Sequence, residues 1–208
     1  FTGRFSLLHL LWFVWMADMF LQIFYVKNHV PLGSQKLFQQ RYIPVKNGFD
    51  GHALREYISR RTKSAYQVFV IYAVGITVLG LLKKTGILND VWMLVICVFF
   101  YVCDLICVLI WCPFRLMMGN RCCTTCRIFN WDHIMMFTPL LFVPGVYSWS
   151  LCAVALVIFI VWEITFQLHP ERFWEGTNSA LHCSNCTDRI CGERNCAADL
   201  PEERHSEF

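Results

Sequence analysis

Two cysteine-rich stretches, "RCCTTCRIFNWDH" (121–133) and "HCSNCTDRICGERNC" (182–196), carry the side chains best suited to chemistry. Each holds one C-x-x-C unit: Cys123 with Cys126, and Cys183 with Cys186. A C-x-x-C turn aims two thiolates at one ion while the backbone amides between them offset the charge. Two such half-sites make a tetrahedral four-sulfur site, with Zn–S near ~2.3 Å. Cys122, Cys191, Cys196 and His182 stand beside them as additional ligands. Structural zinc is the first expectation. An iron–sulfur cluster uses the same thiolates and is the alternative, and redox-active thiols are a third arrangement.

Acid–base chemistry has its own candidates. Asp18, Asp104 and Glu163 each sit inside an apolar run. Ionisable groups in hydrocarbon are costly, so each needs a partner or a function, either inter-helix hydrogen bonding or a proton or ion pathway. Asp104 is expected to face other helices rather than lipid. No lysine or arginine lies inside an apolar run to pair with these acids. Asp132, His133, His169 and Glu175 fall near the ends of such runs, where polar side chains meet the interface. With Glu171 they offer a second metal or acid–base site. Cys97, Cys103, Cys107 and Cys152 lie within apolar runs and Cys112 at the end of one. They read as small hydrophobes in a core, although Cys103 and Cys107 share a helix face and make a possible soft-metal pair.

The elements that must position these groups follow from the pattern. Of 208 residues, 56% are hydrophobic and only 16% charged, against about 25% charged in soluble domains. The apolar residues gather in blocks near the ~20 residues that span a bilayer. The expected fold is an all-α integral membrane protein, a bundle of about five transmembrane helices with a small cytoplasmic Cys-rich metal knuckle. The spans are 5–26, 66–82, 91–112, 128–143 and 149–168, within a transmembrane bundle of 1–168. The shortest is 128–143, which rises only ~24 Å as a helix. A Cys-rich tail over 169–200 pairs with the 113–127 loop, and 201–208 is expected to be disordered. The first block is too long for a signal-peptide core, and a start upstream of Phe1 is expected.

Lysine and arginine set the orientation. The 27–65 connection holds Lys27, Lys36, Arg41, Lys46, Arg55, Arg60, Arg61 and Lys63, and the 113–132 connection holds Arg115, Arg121 and Arg127. The 83–90 connection holds only Lys83 and Lys84. Positive charge favours the cytoplasmic side. The N-terminus is therefore expected outside and the C-terminus in the cytoplasm of a plasma or inner membrane. Both cysteine clusters then share the cytoplasmic face, where thiols stay reduced. The stretch "GHALREYISRRTKSAYQVF" in the 27–65 connection can form an amphipathic interfacial helix, basic on one face, serving as a basic linker on anionic lipid, a surface anchor or a substrate-facing flap.

The expected function is a membrane subunit or scaffold whose metal joins the 113–127 loop to the tail. One alternative is an electron-transfer subunit with an iron–sulfur cluster beside a quinone or redox partner. Another is a multi-span enzyme acting on a lipid. Whether the chain is an enzyme is left open, since no P-loop, dinucleotide fingerprint or nucleophile elbow is present. The lipid bilayer is the expected partner, with a protein partner or a second copy possible. A net charge of +3 gives no footprint for nucleic acid. The stretch "LHPERFWEG" is similar to the "RHP…G" element of isoprenylcysteine methyltransferases, small multi-span membrane enzymes. Leu168 stands where that family has arginine. The resemblance covers under a tenth of the chain, and that family needs no cysteine knuckle.

Overall fold

The computed structural model describes residues 7–24, 32–46, 48–110, 112–118, 125–182 and 185. Of the knuckle cysteines only Cys126 falls among them. Cys122, Cys123, Cys183, Cys186, Cys191 and Cys196 lie outside the described residues, as does the 201–208 tail. Among the described residues the chain is all helical, with one isolated bridge between Pro44 and Asn178 and no strand.

Six α-helices follow in order: α1 Leu7–Ile23, α2 Gly51–Lys84, α3 Asp90–Leu109, α4 Phe114–Met118, α5 Asp132–Phe137 and α6 Val146–Leu168. Three of them, α2, α3 and α6, are long and apolar enough to cross a membrane; α1 is apolar and shorter, at 17 residues. Much of their surface is exposed and apolar, including Val70, Ile71 and Val74 on α2 and Val91 and Trp92 on α3. Helices with such faces are compatible with a membrane protein, because lipid covers what a soluble fold would have to bury.

Local chemistry sets the helix ends. The Asp50 carboxylate caps α2 by accepting from the His52 amide at 2.8 Å, meeting an N–H with no intrahelical partner. Lys83 and Lys84 close the same helix, where cations suit the dipole. Gly86 takes φ +80 in the turn that follows, a conformation costly for any residue with a Cβ. Asn89 then caps α3 by accepting from the Trp92 amide at 3.0 Å, and Lys83 pairs with Asp90 across the turn. Pro113 follows the end of α3 and disfavours helix in the residue before it.

Two stretches differ from the sequence expectation. The amphipathic residues from Gly51 onward form no separate interfacial helix. They continue without a break into the apolar run, and α2 is 34 residues long, about 51 Å. No proline interrupts it. Residues 128–143 are not one helix either. They form a 3₁₀ turn Ile128–Asn130, then α5, then a 3₁₀ turn Thr138–Phe142. Pro139 supplies no amide and obstructs continuation of α5.

This broken segment forms the centre of the molecule. Ile128, Asn130, Trp131, His133, Met136, Phe137, Pro139 and Leu140 are all buried. It runs antiparallel to α6: Arg127 meets Glu163 and Phe166, Trp131 meets Phe159, and the Phe137 carbonyl accepts from the Cys152 thiol at 3.2 Å. α2 runs alongside in the same direction as the segment. Phe69 packs on Trp131, the Tyr72 hydroxyl donates to the Met135 carbonyl at 2.6 Å, and Gly80 abuts Phe142. A Cβ on Gly80 would stand 2.6 Å from the Phe142 ring, so only glycine permits that approach. α1 is parallel to α6, with His9 and Trp12 against Tyr147 and Trp15 against Phe137.

The start of α2, the end of α3, the start of the broken segment and the end of α6 therefore share one end of the bundle. Residues 32–46 and 170–182 pack there as well. The Tyr57 ring stacks on Trp174, and the Ile43 carbonyl accepts from the Ser179 amide at 2.8 Å. We call this the capped end.

Candidate functional site

The capped end is built around a buried lysine. Lys36 is 1% exposed. Its Nζ donates to the Cys126 carbonyl at 3.1 Å and lies 5.7, 5.5 and 5.6 Å from the ring centroids of Phe129, Trp162 and Phe173. A buried ammonium is costly unless its charge is met. Three aromatic faces and a carbonyl meet it here, and desolvated cation–π contacts contribute about 2 kcal/mol or more. One side chain thus ties the 32–46 loop to Cys126, to α6 and to the segment after α6.

That last segment is also fixed from its own side. Buried Arg172 donates to the Leu37 carbonyl at 3.4 Å, and the Asn178 side chain accepts from the Ile43 amide at 3.2 Å. His182, the residue before Cys183, is exposed, and its Nε2 lies 2.8 Å from the Glu175 carbonyl. The chain is thus anchored at the same end at Cys126 and just ahead of Cys183.

Deeper in the bundle lies a line of acids and one imidazole. His133 is 2% exposed. Its Nδ1 lies 2.6 Å from Asp132 Oδ1 and its Nε2 lies 3.3 Å from Asp18 Oδ2. An imidazole donates from both nitrogens only as the imidazolium; as the neutral ring it needs one carboxyl to carry the proton. The Asp132 side chain also accepts from the His133 amide at 2.6 Å, which holds it beside the ring.

Asp132 and Asp104 line one cavity of about 180 Å³. Tyr72, Phe100, Phe114 and Phe129 supply aromatic wall, and Met135 and Met136 line it from α5. Four cysteines line it too: Cys103, Cys107, Cys112 and Cys126. The cavity accordingly joins the acid line to the one described cysteine of the first knuckle. It is an apolar space with thiols and two carboxyl groups in its wall, suited to an apolar ligand that carries a polar head.

Glu163 is satisfied elsewhere. Its Oε2 accepts from Arg127 Nη2 at 2.8 Å and its Oε1 from Trp131 Nε1 at 2.6 Å. The Arg127 guanidinium lies 3.7 Å from the Phe166 ring centroid. The sequence alone pairs no cation with this acid, because Arg127 stands just outside the apolar run. His169 Nδ1 lies 3.2 Å from Glu171 Oε1, both partly exposed at the capped end. His169 and Glu175 do not join His133 and Asp132 in one group: among the described residues no three His, Cys, Asp or Glu side chains converge as a metal site.

Reasoning from sequence missed Lys36 and the Asp18–His133 pair. In the sequence Lys36 is one of eight basic residues of the 27–65 connection. A signal was present in the aromatic residues Phe129, Trp162 and Phe173, but no spacing rule relates them to Lys36. Buried Asn130, with both amide atoms lacking a partner among the described residues, was also unmarked.

No protein-family model matches the chain, and no curated protein and no solved structure matches it significantly.

Proposed function

We propose that the chain is an integral membrane subunit whose capped end carries a cysteine-ligated metal, zinc before iron–sulfur. The metal joins the 113–127 loop to the 169–200 tail through Cys123, Cys126, Cys183 and Cys186. The observation that carries this reading is the Lys36 anchor, which holds Cys126 and Phe173 on one buried ammonium. Each C-x-x-C is half of a four-sulfur site in this proposal, and the anchor ties Cys126 of the first unit to Phe173, ten residues ahead of Cys183. Asn130 and two Arg127 nitrogens are buried beside Cys126 without partners among the described residues, a polar demand that further chain packed at this end would meet.

The metal has a physical role there. Helices in lipid gain little hydrophobic energy from one another, so a covalent-strength link at one end holds the bundle corner. In small zinc sites the metal contributes ~10–16 kcal/mol to folding. We place the capped end in the cytoplasm, because Lys36, Arg41, Arg55, Arg60, Arg61, Lys63, Arg127 and Arg172 all belong to it and only Lys83 and Lys84 border the α2–α3 turn.

A second reading is favoured by one observation. Cys126 lies on the wall of the cavity that holds Tyr72 and Asp104. An iron–sulfur cluster at the knuckle would then sit next to an apolar pocket of the kind a quinone head occupies. Metal analysis and an absorption spectrum of protein purified without oxygen separate the two readings. Zinc without a visible band supports the staple. Iron with a broad band near ~400 nm supports electron transfer. Protein free of both metals, with stability unchanged by Cys183→Ala, would refute both.

A further inference from the structure

The first half of α2 carries a stripe that the metal reading does not use. Arg55, Ser59, Thr62 and Lys63, then Tyr66, Val70 and Ile71, follow one another at helical spacing along a single open groove. Met117 of α4 forms its other wall. The groove changes character along its length. Among the described residues its outer part has two cations and two hydroxyls and no acid. Past Tyr66 and Gln67 its inner part is apolar, with Val70 and Ile71 exposed at 60% and 64%.

The charge is available. The neighbouring acid, Glu56, is already engaged by Arg60 at 2.7 Å. Arg55 and Lys63 are exposed and form no ion pair among the described residues. The length also fits. From Arg55 to Ile71 the stripe runs about 24 Å at 1.5 Å per residue. One leaflet, half the hydrocarbon core plus its headgroup layer, is roughly 20–22 Å.

We propose that this groove holds one anionic phospholipid, its phosphate between Arg55 and Lys63 and an acyl chain along Val70, Ile71 and Met117. Ser59 and Thr62 supply hydroxyl donors to the phosphate oxygens, and the two cations supply the charge. A zwitterionic lipid would bring a trimethylammonium head against Arg55 and Lys63 with no acid in the groove to receive it, so the chemistry favours net negative heads.

The test uses the full chain in a neutral detergent, with phosphatidylglycerol or phosphatidylcholine of identical acyl chains added. Native mass spectrometry counts retained lipid, and thermal unfolding reads its effect. Phosphatidylglycerol is expected to be retained preferentially and to raise Tm by a few degrees over phosphatidylcholine. The R55Q/K63Q variant should lower phosphatidylglycerol retention roughly 30-fold, the loss expected for two surface cations, and abolish the Tm difference. Both side chains are exposed, so the variant should keep the parent Tm without lipid. K84Q, at the other end of α2, should change neither readout. Equal retention of the two lipids overturns the proposal, as does undiminished retention by R55Q/K63Q. An equal Tm rise from inorganic phosphate alone overturns it in favour of a free-phosphate site.

Discussion

His133 Nε2 stands 3.3 Å from Asp18 Oδ2, joining side chains 115 residues apart in the chain. The contact fixes the register of α1 against the broken central segment at the depth where Asp132 faces the cavity. Asp18 is partly exposed, with 43% of its side chain accessible, whereas His133 has 3%. Two contacts, Asp18 to His133 and His133 to Asp132, therefore link the exposed side of α1 to the cavity wall.

The two partners of this contact should respond unequally to substitution. His133→Gln removes the ring from between the two carboxyl groups and leaves Asp132 in the interior with only the backbone amide of residue 133 as its partner. Breaking a buried pair in this way costs about 3–5 kcal/mol. Asp18→Asn keeps a hydrogen-bonding side chain at a partly exposed position and should cost about 1 kcal/mol or less. Thermal unfolding of both purified variants checks the order, and an Asp18→Asn loss equal to that of His133→Gln would show that the pair is not arranged as described.

Glu163→Gln should be more harmful than replacing both members of its pair. The single change leaves the Arg127 guanidinium, 6% exposed, without its counter-charge, at about 3–5 kcal/mol. Arg127→Met with Glu163→Leu removes both charges and should recover much of that loss. A double-mutant cycle read by denaturant unfolding measures the coupling.

Lys36→Met keeps the aliphatic stem and removes the ammonium. It leaves the Cys126 carbonyl without its buried donor, a loss of about 1–3 kcal/mol. If the knuckle sits beside this anchor, metal content should fall in the same variant. Elemental analysis alongside the unfolding curve separates the two effects.

Gly80→Ala places a methyl 2.6 Å from the Phe142 ring. Overpacking of this kind costs about 1–3 kcal/mol. Adding Phe142→Ala should relieve the clash, so that G80A is less harmful on the F142A background than on the parent. Gly75→Ala on the same helix meets nothing within 4 Å, and it should be neutral or mildly stabilising.

The long helices were legible because a run of about 20 apolar residues has few alternatives. α3 and α6 begin and end within a few residues of the expected spans. The central segment was harder. Its composition is that of a span, but Pro139 and the buried polar groups Asn130 and His133 belong to a chain that bends to present them. Composition records that such residues are present and not which neighbours accept them. The cavity was half visible. Cys103, Asp104 and Cys107 share a face by spacing alone, whereas the arrival of Cys126 and Asp132 at the same space depends on how the central segment crosses α3. The pairing of Arg127 with Glu163 depends likewise on the antiparallel register with α6.

The Lys36 anchor also orders events during synthesis. Leu37 receives its hydrogen bond from Arg172, 135 residues later in the chain. The aromatic faces over Lys36 come from Phe129, Trp162 and Phe173. A ribosome that has made α1, α2 and α3 has therefore made a lysine with nowhere to go. The rings and the carbonyl that surround its ammonium all lie later in the chain, between Cys126 and Phe173. A chain truncated before Arg172 would contain the sequence of every long helix and lack two of the groups, Arg172 and Phe173, that hold the 32–46 loop.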